Sequence, residues 1–208
     1  MESGATNQQF TLTHFPIRAR AELARLIFAE KQINFNDVRV ARDVFMKDVK
    51  PHCSFGQLPM LEGPGGFKLF QSQAIARYLA RKFDLYPANL EDAAKADMIM
   101  DSCVDIADRV LGPINHGANE QEKRKLLHEN GPHMLAYFEV YLQKCDSPYF
   151  LGNNFYVCDL AVAAMLREVC VLRSDILEQF PLLQSFLERV ESRPNIRSYI
   201  DKRPHSTM

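Results

Sequence analysis

"QFTLTHFPIRARAELARLIFAEKQINFNDVRV" (residues 9–40) changes hydrophobic period twice. "QFTLT" (9–13) alternates apolar and polar residues as a half-buried strand does. Residues 17–31 then repeat apolar side chains at helical spacing through Ile17, Ala21, Ala24 and Phe28, and "FNDVRV" (35–40) returns to the strand pattern. The stretch is a β-α-β unit. Working outward, a short helical pattern covers 43–50. "LPMLE" and "FKLF" then flank "GPGG", whose turn formers predict a hairpin connection. "SQAIARYLARKF" (72–83) follows, with Ser72 as the expected N-cap and Ile75, Ala76, Leu79 and Phe83 on one helical face.

The order β-α-β-α-β-β-α joins a βαβ half to a ββα half, and the thioredoxin-like fold is its common instance. Residues 84–91, "DLYPANLE", have a proline and no period, which places a domain boundary there. Beyond it every periodic stretch is helical, with helices expected at about 91–112, 120–144, 157–172 and 181–192 and a short last one near 195–202. Pro113 and Gly117 are expected to break the first of these and Gly131-Pro132 to kink or split the second. The fold class is α+β: a thioredoxin-like domain over 8–86 and an all-helical bundle domain over 88–208.

With 208 residues and a formal net charge of −1, the chain can bury a sizeable core, and its cations form no patch for nucleic acid or an anionic membrane. The first ten residues lack an apolar leader pattern, and apolar runs such as "LAVAAML" (160–166) are too short to cross a bilayer. A cytoplasmic protein is expected. Its five cysteines (53, 103, 145, 158 and 170) are scattered and contain no CxxC pair, which argues against a disulfide framework or a metal site.

Three features carry chemistry. Gln71-Ser72 stands where a strand turns into a helix, so it is either an ordinary helix cap or a place where a hydroxyl and free N–H groups hold a carboxylate or phosphate. In "GQLPMLE" a proline opens a strand, and a cis Leu58-Pro59 bond would turn the Leu58 N–H and C=O towards an extended peptide ligand. Arg18 and Arg20 crowd the start of the first helix, where cations are unfavourable unless paired, and Glu22 is the candidate partner.

The ordered set of strand-"HF", "RARAE", "FGQLPMLE" and "QSQAIARYLARKF", followed by an all-helical second part, resembles the cytosolic glutathione transferases. The likeness is greatest to the sigma class and its nematode relatives, a group that includes haematopoietic prostaglandin D synthase and the S-crystallins. The resemblance implies a glutathione site in the first domain. Leu58, with Pro59 behind it, would pair with the cysteinyl part of the tripeptide, and Gln71 and Ser72 would hold the γ-glutamyl carboxylate. Lys50, Gly56 and Gln57 would lie near the glycyl end, and Met46, or Phe45 beside it, would stand in for an absent tryptophan. Asp101 of a partner subunit would approach the γ-glutamyl amine, so a homodimer is implied. Arg20 corresponds to the arginine that supports the catalytic tyrosine and the thiolate. An electrophile pocket would form between Phe15 and the stretch holding Asp105, Asp108 and Gly112.

The chain departs from that family where it matters most: His14 stands in place of the tyrosine whose hydroxyl hydrogen-bonds the glutathione sulfur. Imidazole can donate to a thiolate, but it is shorter than phenol, and a helix N-terminus and two arginines would depress its pKa. It could equally cap a strand end. Ala19 replaces the glycine between the arginines, and Tyr156 replaces the Ser/Thr cap three residues before Asp159, leaving half a capping box. The resemblance therefore implies an enzyme joining the glutathione thiolate to small hydrophobic electrophiles, metal-free and slowed by His14. The alternative is a glutathione-binding or crystallin-like structural protein with little catalysis.

Overall fold

The computed structural model describes residues 9–206, so residue 8, the expected start of the first domain, and residues 207–208 lie outside the described part. Strand β1 (Phe10–His14) is followed by a 3-10 turn at Ala19–Ala21, helix α1 (Glu22–Glu30) and β2 (Phe35–Arg39). Next come a short helix α2 (Arg42–Val44) widening into a π turn at Phe45–Val49, then β3 (Met60–Glu62), β4 (Lys68–Phe70) and α3 (Ser72–Lys82). The strands form one four-stranded sheet in the order β2-β1-β3-β4, with β1 and β2 parallel and the other pairs antiparallel. This is the expected thioredoxin-like arrangement.

Alternation along β1 decides what lies on each side of the sheet. Phe10 and Leu12 point to the side of α1 and α3, where they join Ile27, Phe28, Leu61, Ile75 and Leu79 in the main core. The other side carries a small cluster of Phe45, Cys53 and Met60, against which Phe15, Val49, Leu58 and Phe70 pack. Helix α1 begins at Glu22 and not at Ile17, since Pro16 and a left-handed Ala19 (φ 38°) keep the intervening backbone out of the α region.

The second part consists of α4 (Leu90–Ile106), α5 (Gly112–Asn115), α6 (Glu120–Lys125), α7 (Gly131–Cys145), α8 (Val157–Leu172), α9 (Pro181–Glu191) and α10 (Pro194–Lys202). Neither Pro113 nor Gly131-Pro132 breaks its helix. Each follows a π turn, Ala107–Leu111 before α5 and Leu126–Asn130 before α7, and so takes a first-turn position where the missing N–H costs nothing. Gly112 fits that geometry because a Cβ there would lie 3.2 Å from the Ala107 carbonyl oxygen. Gly117 (φ 98°) does end the first run.

Helix α8 is the hub. Leu160, Val162, Leu166 and Val169 are fully buried in the same continuous core that holds α1 and α3. Full burial of each such side chain contributes about 1.5–3 kcal/mol. Its N-terminus has the expected half capping box: the Asp159 carboxylate accepts from the Tyr156 N–H at 2.8 Å and from the Phe150 N–H at 3.0 Å, and Tyr156 returns no side-chain bond. Ion pairs reinforce the seam. Arg18 reaches Glu168 of α8 at 2.7 Å, and Glu22 takes Arg203 at 2.6 Å and the Tyr199 hydroxyl at 3.1 Å. Glu22 is thus not the partner of Arg18 or Arg20, because it faces α10.

Candidate active site

Sheet register assembles the candidate site. Thr13 of β1 pairs with Met60 of β3, and Met60 pairs with Phe70 of β4. The next residues outward, His14, Pro59 with Leu58, and Gln71 with Ser72, therefore share one end of the sheet. Neighbouring strands lie about 4.8 Å apart, so the distance from β1 to β4 is roughly 10 Å, a span that an extended tripeptide can bridge.

The Leu58-Pro59 peptide is cis. Leu58 makes no backbone hydrogen bond among the described residues, so its N–H and C=O remain available at this edge. Beside it, α3 starts differently from the sequence expectation. Gln71 and not Ser72 is the N-cap, with φ 72° and ψ 115°, and no side chain caps the helix. A non-glycine residue held at such a φ is costly, and outliers of this kind collect at ligand sites. With Gln71 bent out of the way, Ser72 is the first helical residue, and both its hydroxyl and the opening N–H groups lack partners among the described residues. A helix N-terminus in this state attracts an anion.

The loop leading to β3 brings further expected residues to the same end. Gly56 takes a left-handed φ of 61°, and the Lys50 stem passes 3.5 Å from where its Cβ would be, so the lysine lies along the loop. Lys50 and Gln57 are exposed and Leu58 is half-buried. Of the two residues expected to replace the missing tryptophan, Phe45 is buried and Met46 is exposed.

His14 does not face this opening freely. It shares the parity of Phe10 and Leu12 and is only 4 % exposed, and its Nδ1 is buried without a hydrogen-bond partner. Its pKa falls to about 4. Burial is the main cause and the Arg25 charge the second; the Phe15 backbone and Asp37 oppose them, and Arg39 adds to the fall. The expected direction is right, but the arginines are Arg25 and Arg39 rather than Arg18 and Arg20. Arg25 was missed by sequence reasoning. Fully buried, it holds the loop after His14 through the Ile17 carbonyl at 2.9 Å and bonds Asp37 at 3.0 Å. Its signal was a lone cation inside the apolar run "ELARLIF".

The remaining expected residues sit further out. Phe15 packs edge-on against Phe45 at 5.2 Å, in the cluster with Leu58 and Phe70. Arg20 is paired with Asp108 at 2.5 Å. Asp105 pairs with Arg109 at 3.4 Å, and Asp101 is exposed and held by Arg77 of α3 at 2.5 Å. A small recess lined by Glu22, Leu160 and Arg203 lies between α1 and α8–α10, away from this end of the sheet. Among the described residues no group of three or more His, Cys, Asp or Glu could hold a metal ion, and no helix is long and apolar enough to cross a membrane.

Most of the chain has counterparts of known kind. Residues 8–81 match the family description "Glutathione S-transferase, N-terminal domain", and residues 105–203 match "Glutathione S-transferase, C-terminal domain". A glutathione S-transferase of Plasmodium yoelii yoelii is 35 % identical over 195 residues, 91 % of each chain. The hematopoietic prostaglandin D synthase of Rattus norvegicus is 32 % identical over 200 residues, 96 % of this chain and 98 % of that one. Among solved structures, the Pi-class glutathione S-transferase of Onchocerca volvulus superposes with a TM-score of 0.88 at 34 % identity, covering 94 % of this chain and 93 % of the other.

Proposed function

Because this chain belongs to the glutathione S-transferase family, we propose that it binds glutathione at the β1–β3–β4 end of the sheet and couples the thiol to a small hydrophobic electrophile. The carbon–sulfur bond forms as the leaving group departs, and the thiol proton goes to solvent. The observation that carries this reading is the register-built edge: an unengaged Leu58 backbone beside the uncapped start of α3. Gln71 and Ser72 hold the γ-glutamyl carboxylate, the Leu58 backbone pairs with the cysteinyl unit, and Lys50, Gly56 and Gln57 flank the glycyl end. A homodimer, in which Asp101 of one subunit completes the site of the other, and a cytoplasmic location belong to the same reading.

Catalysis in this arrangement is slow. A thiol of ordinary pKa near 8.5 is only about 3 % thiolate at pH 7, so full ionisation would raise the rate by at most about thirtyfold. The gain is smaller still because a thiolate of lower pKa is a weaker nucleophile. A buried, neutral His14 supplies little of it. That burial also supports a second reading, a glutathione-binding protein with negligible turnover.

The test has two arms. Retention on immobilised glutathione with release by the free tripeptide, weakened by Ser72→Ala, supports the site, and failure to be retained refutes it. With 1-chloro-2,4-dinitrobenzene, measurable turnover that rises up to about thirtyfold in His14→Tyr identifies a handicapped enzyme. Absent turnover in both proteins leaves the binding reading.

A further inference from the structure

The loop between β1 and α1 is held from its buried side. After His14 and Phe15 the chain passes Pro16 and enters α1 through the left-handed Ala19, and the Ile17 carbonyl accepts no backbone N–H among the described residues. Arg25 holds it instead: its Nη1 donates to the Ile17 carbonyl at 2.9 Å and reaches the Arg18 carbonyl at 3.4 Å. Arg25 is fully buried, and the same Nη1 lies 3.5 Å from the carboxylate of Glu22, itself only 3 % exposed. Glu22 in turn accepts from the Tyr199 hydroxyl of α10 at 3.1 Å and from Arg203, just beyond that helix, at 2.6 Å. A continuous buried row thus runs from α10 to the site loop. It is carried on by the Ile17 N–H, which donates to the Phe15 carbonyl at 2.7 Å, and Phe15 packs on Phe45 in the cluster that Leu58 joins.

Resting on the glutathione-site reading above, we propose that Arg203 is a positioning residue: acting through Glu22 and Arg25, it fixes the loop that seats Phe15 in the cluster carrying Leu58, so that α10 sets the affinity for glutathione. Nη1 of Arg25 is shared between the Glu22 carboxylate and the Ile17 carbonyl. A buried carboxylate that loses a cation keeps its desolvation cost and turns to the partners that remain. Without Arg203, Glu22 therefore draws on Arg25, and the hold on Ile17 slackens. Affinity then falls in proportion to the fraction of molecules whose loop stays in place. A hydrogen bond to a charged group is worth roughly tenfold in an equilibrium constant, which sets the upper end of the effect.

A second tie on the same α1–α10 seam supplies the control. Arg193, just before α10, bonds Glu30 at the other end of α1 at 3.0 Å, and its guanidinium lies over the Phe155 ring at 3.9 Å. It makes no bond to Glu22, Arg25 or the site loop among the described residues.

The test is calorimetric titration of glutathione into the full chain, with thermal melts recorded alongside. Arg203→Gln should lower the affinity by about threefold to tenfold, and Arg203→Lys, which returns a cation to Glu22, should recover most of it. Arg193→Gln should lower the melting temperature and leave the affinity as it is. Tyr199→Phe removes only a hydroxyl; it should weaken binding by about twofold to threefold, and it decides the matter if Arg203→Gln does not fold. Unchanged affinity in the folded Arg203 and Tyr199 variants overturns the proposal. So does an equal loss in Arg193→Gln, because the seam would then act on stability alone. A wild-type chain that does not bind glutathione removes the site itself, and this proposal with it.

Discussion

Replacing His14 by glutamine should remove a contribution that costs the protein stability as pH falls. The imidazole titrates at about 4 in the folded chain against 6.5 when unperturbed. Between those values the unfolded chain holds a proton that the folded one refuses, so stability rises with pH there and is lost as pH falls. At 1.36 kcal/mol per unit, acidification from pH 7 to pH 4.5 should cost the wild type about 2.5 kcal/mol through this one group. Asp159 works in the opposite sense. Burial raises its pKa from 3.8 to about 6, so its contribution is greatest at low pH and is lost as pH rises through 6. Over the same interval it returns about 2 kcal/mol. These two groups oppose one another in the wild-type profile, so the quantity to measure is the difference between two profiles. His14 and Asp159 lie in different halves of the chain, and their effects should add.

The assay is urea unfolding of wild type and His14→Gln at both pH values and equal protein concentration. Far-UV circular dichroism must follow it, because the chain has no tryptophan. The wild type should lose about 2.5 kcal/mol more than the variant on acidification. A difference below about 0.5 kcal/mol would mean that the ring is not withdrawn from water, and a difference of opposite sign would mean that it is held as imidazolium. Either result removes the physical basis for a neutral His14 that activates the thiol only weakly.

Three further outcomes follow from the same structure. The pH profile of kcat/KM should climb towards the thiol pKa near 8.5 with no inflection at 6.5, since His14 stays neutral throughout that range; an inflection there contradicts its burial. Gln71→Gly should relieve the left-handed backbone and stabilise the fold by about 1 kcal/mol while weakening glutathione binding, measured by thermal melting and calorimetry. Asp159→Ala should cost about 3 kcal/mol in urea unfolding at pH 7, because it leaves the buried N–H of Phe150 and the N–H of Tyr156 without their acceptor.

Period and turn chemistry were enough to read the strands, the hairpin and the all-helical second half, because each of these is decided by residues within a few positions of one another. Where the reading went astray, a distant or irregular constraint had won. The start of α1 moved to Glu22 because Pro16 and the left-handed Ala19 act on backbone angles that an apolar period does not register. Ser72 had the chemistry of an N-cap, but Gln71 took the position in a conformation that no propensity would assign to glutamine. Pro113 was expected to stop a helix, yet a π turn five residues long shifts the proline into a position where it fits. Such a turn has no sequence signature in this chain beyond a proline in the second position after it, as at Pro51, Pro113 and Pro132.

His14 shows the same division most sharply. The strand extends one residue past the alternating stretch 9–13, so His14 falls on the face of Phe10 and Leu12, because residues two apart on a strand point the same way. Its nearest charges in sequence are Arg18 and Arg20, and these suggested the right pKa direction for the wrong reason. Parallel pairing of β1 with β2 sets Arg39 directly opposite His14, and the helix laid over that face carries Arg25. Arg18 meanwhile leaves for Glu168 and Arg20 for Asp108. The charge environment of a residue at a strand end is thus determined by the neighbouring strand and the covering helix, which sequence distance conceals. Substituting Arg20 should leave the titration of His14 where it is, while substituting Arg25 should raise it.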